Sequence, residues 1–212
     1  MTNLMDVTGF ILKGSLISLE LFLIVAVLSI PLGVLVAVGK ISSVKPLRIV
    51  LSLYTWAFRG TPLLLQLFFT YFGLPVMGIR LEPLTAASIA FTVNYAAYLA
   101  EIFRAGIESI DKGQFEAAKA LGMSYGQTMV KIIIPQAVRN VIPAVCNESI
   151  NLIKDTALVA AIGIGDLLRA AKEIVTRDFT ITPFMIAAVV YLFITSILVT
   201  VFRNIEKKYS VY

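Results

Sequence analysis

Apolar residues gather into five long runs along the chain, and most of the charged residues fall between them. The runs cover about 10–38, 47–77, 84–106, 132–162 and 181–202. Some twenty residues at about 1.5 Å each cross the roughly 30 Å hydrocarbon layer of a bilayer. Each run is therefore long enough to be a transmembrane helix, and the longer ones must tilt, kink or protrude. Pro31, Pro62, Pro135 and Pro143 are the places for kinks or helix starts. The ten-residue alternation of a β-barrel is missing. The expectation is an all-α integral membrane protein of five transmembrane helices, forming a single membrane domain over residues 1–212.

Composition agrees: 58% of the residues are hydrophobic and 15% charged, against roughly 25% charged in ordinary soluble domains. The net charge of +5 reads as an orientation signal rather than as nucleic-acid affinity. Lys40, Lys45 and Arg48 follow the first run. Arg104, Lys112, Lys119, Lys131 and Arg139 lie in or beside the long connection between the third and fourth. Arg203, Lys207 and Lys208 follow the last. These three segments fall on one side of the bilayer and hold eleven of the eighteen basic residues. The positive-inside rule makes that side the cytoplasm, with the N-terminus outside and the C-terminus cytoplasmic. The outer segment 163–183 is unusual in carrying Asp166, Arg169, Lys172, Glu173, Arg177 and Asp178. Leu167, Leu168, Ala171 and Ile174 recur there near helical spacing, which predicts a short surface helix.

Histidine is absent, which removes Ser-His-Asp, Cys-His and histidine–metal chemistry together. The single cysteine, Cys146, cannot form an internal disulfide. The first run is too long for a signal-peptide core and has no small-residue cleavage pattern, so it is expected to remain as a helix.

The connection 113–131 carries the most specific pattern. It reads Glu116-Ala117-Ala118, three residues, Gly122, nine residues, Ile132, one residue, Ile134-Pro135. Good helix formers end at a glycine suited to closing a helix, and Ser124 can cap a second one. This spacing resembles the EAA loop of ABC-transporter permeases, with isoleucine in place of the commoner leucine before the proline. The resemblance implies a cytoplasmic coupling helix between helices 3 and 4. Glu116, Ala117, Ala118, Leu121 and Gly122 would then be its contacts with an ATP-hydrolysing subunit.

A second resemblance narrows the family. Arg59-Gly60-Thr61-Pro62-Leu63-Leu64-Leu65-Gln66-Leu67-Phe68 is similar to a signature of permeases for polar amino acids, the histidine, glutamate, glutamine, arginine and opine group. So is the segment from Asn94 to Ile107, and so is Leu152-Ile153-Lys154-Asp155-Thr156-Ala157-Leu158. Membership would imply a non-enzymatic transport subunit in a bacterial cytoplasmic membrane. Its partners would be a second permease subunit, two cytoplasmic ATPases and an extracytoplasmic amino-acid-binding protein. ATP and magnesium would sit on the ATPases, and no cofactor or metal on this chain.

Ionisable residues at the centre of a span cost roughly 2.5–3.5 kcal/mol each on insertion scales and mark cavities, partners or pathways. At 100° per residue, Glu148, Asn151 and Asp155 share one stripe, while Asn94, Tyr98 and Glu101 form another. Lys154 points about 100° away from Asp155. Two such stripes suggest a polar cavity near mid-membrane, with Glu148, Asn151, Asp155, Thr156, Asn94 and Tyr98 as substrate-binding candidates. Hydrogen-bonded helix packing is the alternative role for the asparagines. Two carboxylates would suit arginine, lysine or histidine, although the Lys-Asp-Thr sequence also fits permeases for glutamine or glutamate. Arg59 and Pro62, beside Gly60, are expected to serve structure or gating. Glu101 and Arg104, three residues apart, are expected to pair and likewise to serve structure or gating. Glu20 has no partner suggested by spacing. An ion-coupled secondary transporter would also explain buried carboxylates but leaves the cytoplasmic loop without a role. A membrane enzyme would need a nucleophile and base in a recognisable arrangement, and none is present.

Overall fold

The computed structural model describes residues 4–209, which are helical throughout their regular elements and contain no strand. Four helical segments are long and apolar enough to cross a membrane: α1 (Leu4–Ile41), α4 (Pro83–Glu108), the continuous path Tyr125–Ile162, and α9 (Thr182–Tyr209). The second apolar run differs from a single span. It is divided into α2 (Lys45–Gly60) and a limb that begins as α3 (Leu63–Phe68) and ends at Met77, with a bend of 105° between them. The cause is local. Thr61 and Pro62 are both extended, at ψ 147° and 134°, because a residue before proline is pushed out of the helical region.

Prolines shape two further places. Pro75 and Pro135 are each preceded by a π-helical turn, Phe69–Gly73 and Met129–Ile133. The wider turn gives the proline ring room where an α-helix would clash. The second of these turns joins α6 (Tyr125–Thr128) to α7 (Ile134–Asp155), which runs on as a 3-10 segment, Thr156–Ile162.

The core lies where α1 crosses α4 and α7. Leu21, Phe22 and Val25 pack against Ala87, Ala90, Phe91 and Tyr95, with Leu152, Ile153 and Val159 closing the cluster. Small residues allow this approach, as is usual where helices associate without a hydrophobic driving force. A Cβ on Gly33 would come within 2.9 Å of the Leu99 Cβ. The expected short helix in 163–183 is α8 (Leu167–Asp178), lying against α1 and α9 through Leu167, Ala171 and Ile174. Asp166 caps it, its buried carboxylate accepting from the backbone N–H groups of Leu168 at 3.1 Å and Arg169 at 3.0 Å. Of α9 only Pro183, Ala187 and Val190 are buried, so most of its apolar surface is free for lipid or another chain.

Candidate functional site: a polar cavity and an exposed loop

The bend between α2 and α3 leaves carbonyls without intrahelical donors, and the site is built from what replaces them. Pro62 has no N–H to give to the Phe58 carbonyl four residues earlier. That oxygen instead accepts from the Asn94 side chain of α4 at 3.0 Å and from Gln66 at 2.9 Å. Thr61 donates to the Ala57 carbonyl at 2.9 Å, and the Tyr98 hydroxyl to the Arg59 carbonyl at 3.3 Å. Asn94 also donates to the Gln66 side-chain oxygen at 2.9 Å, so both its N–H groups are used. In a membrane every such group must be satisfied within the protein. This explains why Thr61, Pro62 and Gln66 occur together in the second motif.

Beside this elbow opens a cavity of about 600 Å³ between α2, α4 and α7. Its wall brings together Arg59, Pro62, Asn94, Tyr98, Glu148, Asn151 and Asp155 from the sequence candidates. Lys154, which spacing turned away from the stripe, lines it as well. Thr156 does not: its side chain is fully buried and donates to the Ile153 carbonyl at 2.8 Å. The Arg59 guanidinium lies over the Tyr98 ring, 5.3 Å from its centroid, a cation–π arrangement that fixes it at the cavity edge. Asp155 accepts from the Tyr95 hydroxyl at 2.7 Å. Tyr95 is absent from the sequence candidates because it neighbours Asn94 without sharing its stripe. The cavity thus presents fixed charges of both signs, able to hold the ammonium and carboxylate of one small zwitterion by charge-assisted hydrogen bonds.

Glu101 and Arg104 pair, with Arg104 Nε 2.8 Å from Glu101 Oε2. They stand outside the cavity lining, and Glu101 also binds Lys40 of α1 and Thr55 of α2. Glu20 is exposed midway along α1. Among the described residues no group of three His, Cys, Asp or Glu side chains is placed to hold a metal.

The connection between α4 and α7 is a helix, a turn and a helix. α5 (Lys112–Ala120) is capped by Asp111, which accepts from the Gly113 N–H at 2.7 Å. Its end is closed by Met123 N–H to Ala118 O at 3.1 Å and Gly122 N–H to Lys119 O at 3.0 Å, with Gly122 at φ +74°. That double bond needs a left-handed residue, the conformation glycine adopts without strain. Ser124 and Gln127 then form a reciprocal capping box that starts α6. Beneath the loop Phe115 packs against Ile110, Met129 and Ile133, and Ala118 is buried. Above it Glu116 and Ala117 are exposed, with Leu121 at 79% and Tyr125 at 67% exposure. A rigid polar hairpin therefore holds out a small apolar face.

Comparison with known proteins places this architecture. A family described as "Binding-protein-dependent transport system inner membrane component" matches residues 29–211. The arginine transport system permease protein ArtQ of Bacillus subtilis (strain 168) is 42% identical over 201 residues, covering 94% of this chain and 92% of that protein. A protein assigned to glutamine transport, GlnP of Rickettsia conorii (strain ATCC VR-613 / Malish 7), is 39% identical over 201 residues, again covering 94% and 92%. A crystal structure of an amino acid ABC transporter with histidines superposes with a TM-score of 0.92 at 37% identity, covering 98% of this chain and 100% of that one. The chain belongs to the inner-membrane permease family of binding-protein-dependent ABC transporters, among the permeases for amino acids.

Proposed function

We propose that this chain is the transport subunit of an ABC importer in a bacterial cytoplasmic membrane that carries polar amino acids, with cationic ones preferred. It would cross the bilayer five times, the α2–α3 elbow counting as one span, with its N-terminus outside and its C-terminus in the cytoplasm. Glu116, Ala117, Leu121 and Gly122 would seat the coupling helix on an ATPase subunit, whereas Ala118, expected from the sequence among these contacts, is 1% exposed and instead anchors the helix from beneath. Two permease chains, two ATPases carrying ATP and magnesium, and an external binding protein would complete the machine, with no cofactor or metal on this chain. The observation that carries the substrate reading is the shared wall of Glu148 and Asp155 facing the cavity. Asn151 and Tyr98 on the same wall would orient the substrate's backbone groups, with Asn94 offering its side-chain oxygen, whereas Thr156, bonded to the Ile153 carbonyl, would act only by supporting the helix behind the wall.

Arg59 and Lys154 on the same wall favour a second reading in which glutamine or glutamate is carried, their positive charges receiving a carboxylate. The test is reconstitution of the permease, ATPase and binding protein in liposomes with a panel of amino acids. Arginine, lysine or histidine should stimulate ATP hydrolysis and enter. Stimulation by glutamine or glutamate with none by arginine would overturn the cationic preference.

A further inference from the structure

The Glu101 carboxylate takes three side-chain donors, and along α4 it lies between the cavity residue Tyr98 and the loop that begins after Glu108. Lys40 of α1 and Thr55 of α2 both reach its Oε1, and Arg104 one turn further along α4 reaches Oε2. Lys40 also donates to the Thr55 hydroxyl at 2.6 Å. Thr55 is 2% exposed, Lys40 9%, and the Glu101 side chain 15%, so water competes little with these bonds. Three helices that differ in direction and sequence position meet on one side chain.

The cluster continues in both directions along α4. Towards the cavity, Tyr98 holds the Arg59 carbonyl and Asn94 holds that of Phe58, while Tyr54 of α2 donates to the Val93 carbonyl. Towards the loop, Arg104 binds Glu108, and Ser109 next to it accepts from Asn140 of α7 at 3.1 Å. Asp111, the cap of α5, follows two residues later. Polar contacts to neighbouring helices thus recur along α4 between the hairpin and the elbow at Pro62, carried from one to the next by the helix itself.

We propose that Glu101 is a positioning residue that fastens α1, α2 and α4 into one rigid body, so that displacement of the loop reaches the cavity wall at Arg59. It touches no substrate. This rests on the reading of the chain as an ABC permease, because only an ATPase at the loop gives the body something to transmit. A stabilising role alone is a poor explanation, since a buried ion pair is often replaceable by apolar side chains of similar volume at no cost in stability. What such a replacement loses is direction: methionine and leucine can slide where a carboxylate held by three donors cannot.

The experiment uses the complete complex with its ATPase and binding protein in liposomes, carrying Lys40→Met/Glu101→Leu. The variant should assemble and hydrolyse ATP at the basal rate, while stimulation by loaded binding protein and amino acid moved per ATP each fall about tenfold. Lys40→Arg, which keeps the charge, should retain most of the coupling. Wild-type stimulation and transport per ATP in the apolar variant would overturn the proposal while leaving the transport function standing. A wild-type complex with no stimulated hydrolysis would overturn both. Should the double variant fail to assemble, Thr55→Val carries the same test with both charges in place: normal coupling in it overturns the proposal, and loss of coupling supports it.

Discussion

The Asn94 side-chain amide lies 3.0 Å from the Phe58 carbonyl, the oxygen that Pro62 deprives of its helical donor. One residue thereby closes the gap that another opens, on a different helix. Asn94→Asp removes both donated bonds while keeping the shape. A buried polar group left unmatched costs about 1–3 kcal/mol, and the variant should lose that much stability in thermal unfolding of the detergent-solubilised protein. Asn94→Gln, with the same donors displaced by one methylene, should recover only part of it.

The hairpin makes a separable prediction. No atom lies within 4 Å of a Cβ built on Gly122, so Gly122→Ala meets no clash and costs only its left-handed backbone, about 1 kcal/mol. Binding of the ATPase should weaken by about fivefold, the equivalent of that energy. Leu121→Asp, which places a charge on the exposed face, should abolish co-purification while the permease still elutes as a folded species in size-exclusion chromatography. Normal ATPase binding by both variants would remove the loop from the interface.

Glu148 and Asp155 are open to a direct test of sign. Glu148→Gln keeps the hydrogen-bonding shape and deletes one charge. Hydrogen bonds to charged groups contribute about 1.5–3 kcal/mol, so the concentration of arginine giving half-maximal ATPase stimulation should rise about tenfold or more. Tyr95→Phe should have a smaller effect through Asp155, whose carboxylate it holds.

Asp166 supplies a pH dependence outside the spans. Burial pushes its carboxyl above the ordinary aspartate value, against the lowering effect of the Arg169 and Leu168 backbone N–H groups, with Tyr191 of α9 facing it. A raised acid means that the folded chain holds its proton to higher pH than the unfolded chain. Its contribution to stability is therefore greatest below the unfolded pKa and declines as pH rises towards the folded one. Asp166→Asn keeps the cap and should flatten that decline in unfolding temperatures measured from pH 4 upward, whereas Asp166→Ala should cost about 0.5–2 kcal/mol. An unchanged pH profile in Asp166→Asn would rule out the effect.

Much of this was legible before any coordinates, for physical reasons. Apolar run length marked the membrane helices, because crossing a bilayer demands it. Cap and turn chemistry marked the hairpin, since Gly122 and Ser124 act on their own neighbours; the Asp111 cap of α5 comes only from the structure. The stripe of Glu148, Asn151 and Asp155 followed from helical geometry, and the three residues do share the cavity wall. What escaped was between helices. Pro62 marked a break but carries no information about a 105° angle, which depends on what the freed carbonyls find. Tyr95 on Asp155, Gln66 beneath Asn94, and Lys40 on Glu101 are pairs separated by 60, 28 and 61 positions. Spacing within one helix says nothing about such partners. Thr156 is a candidate by its hydroxyl alone, off the Glu148–Asp155 stripe, and the structure buries it with that hydroxyl bonded to the Ile153 carbonyl of its own helix.

The elbow also bears on how the chain enters the membrane. α2 has 16 residues, about 24 Å of helix, against a hydrocarbon layer of roughly 30 Å. Neither limb alone spans that layer, and while Gln66 of the second limb already donates to the Phe58 carbonyl, the further donors to Phe58 and Arg59, Asn94 and Tyr98, belong to α4. The full set of bonds at the elbow is therefore complete only after residue 98 has emerged and α4 has folded beside it. Completion of this element in the bilayer thus lags behind its own translation.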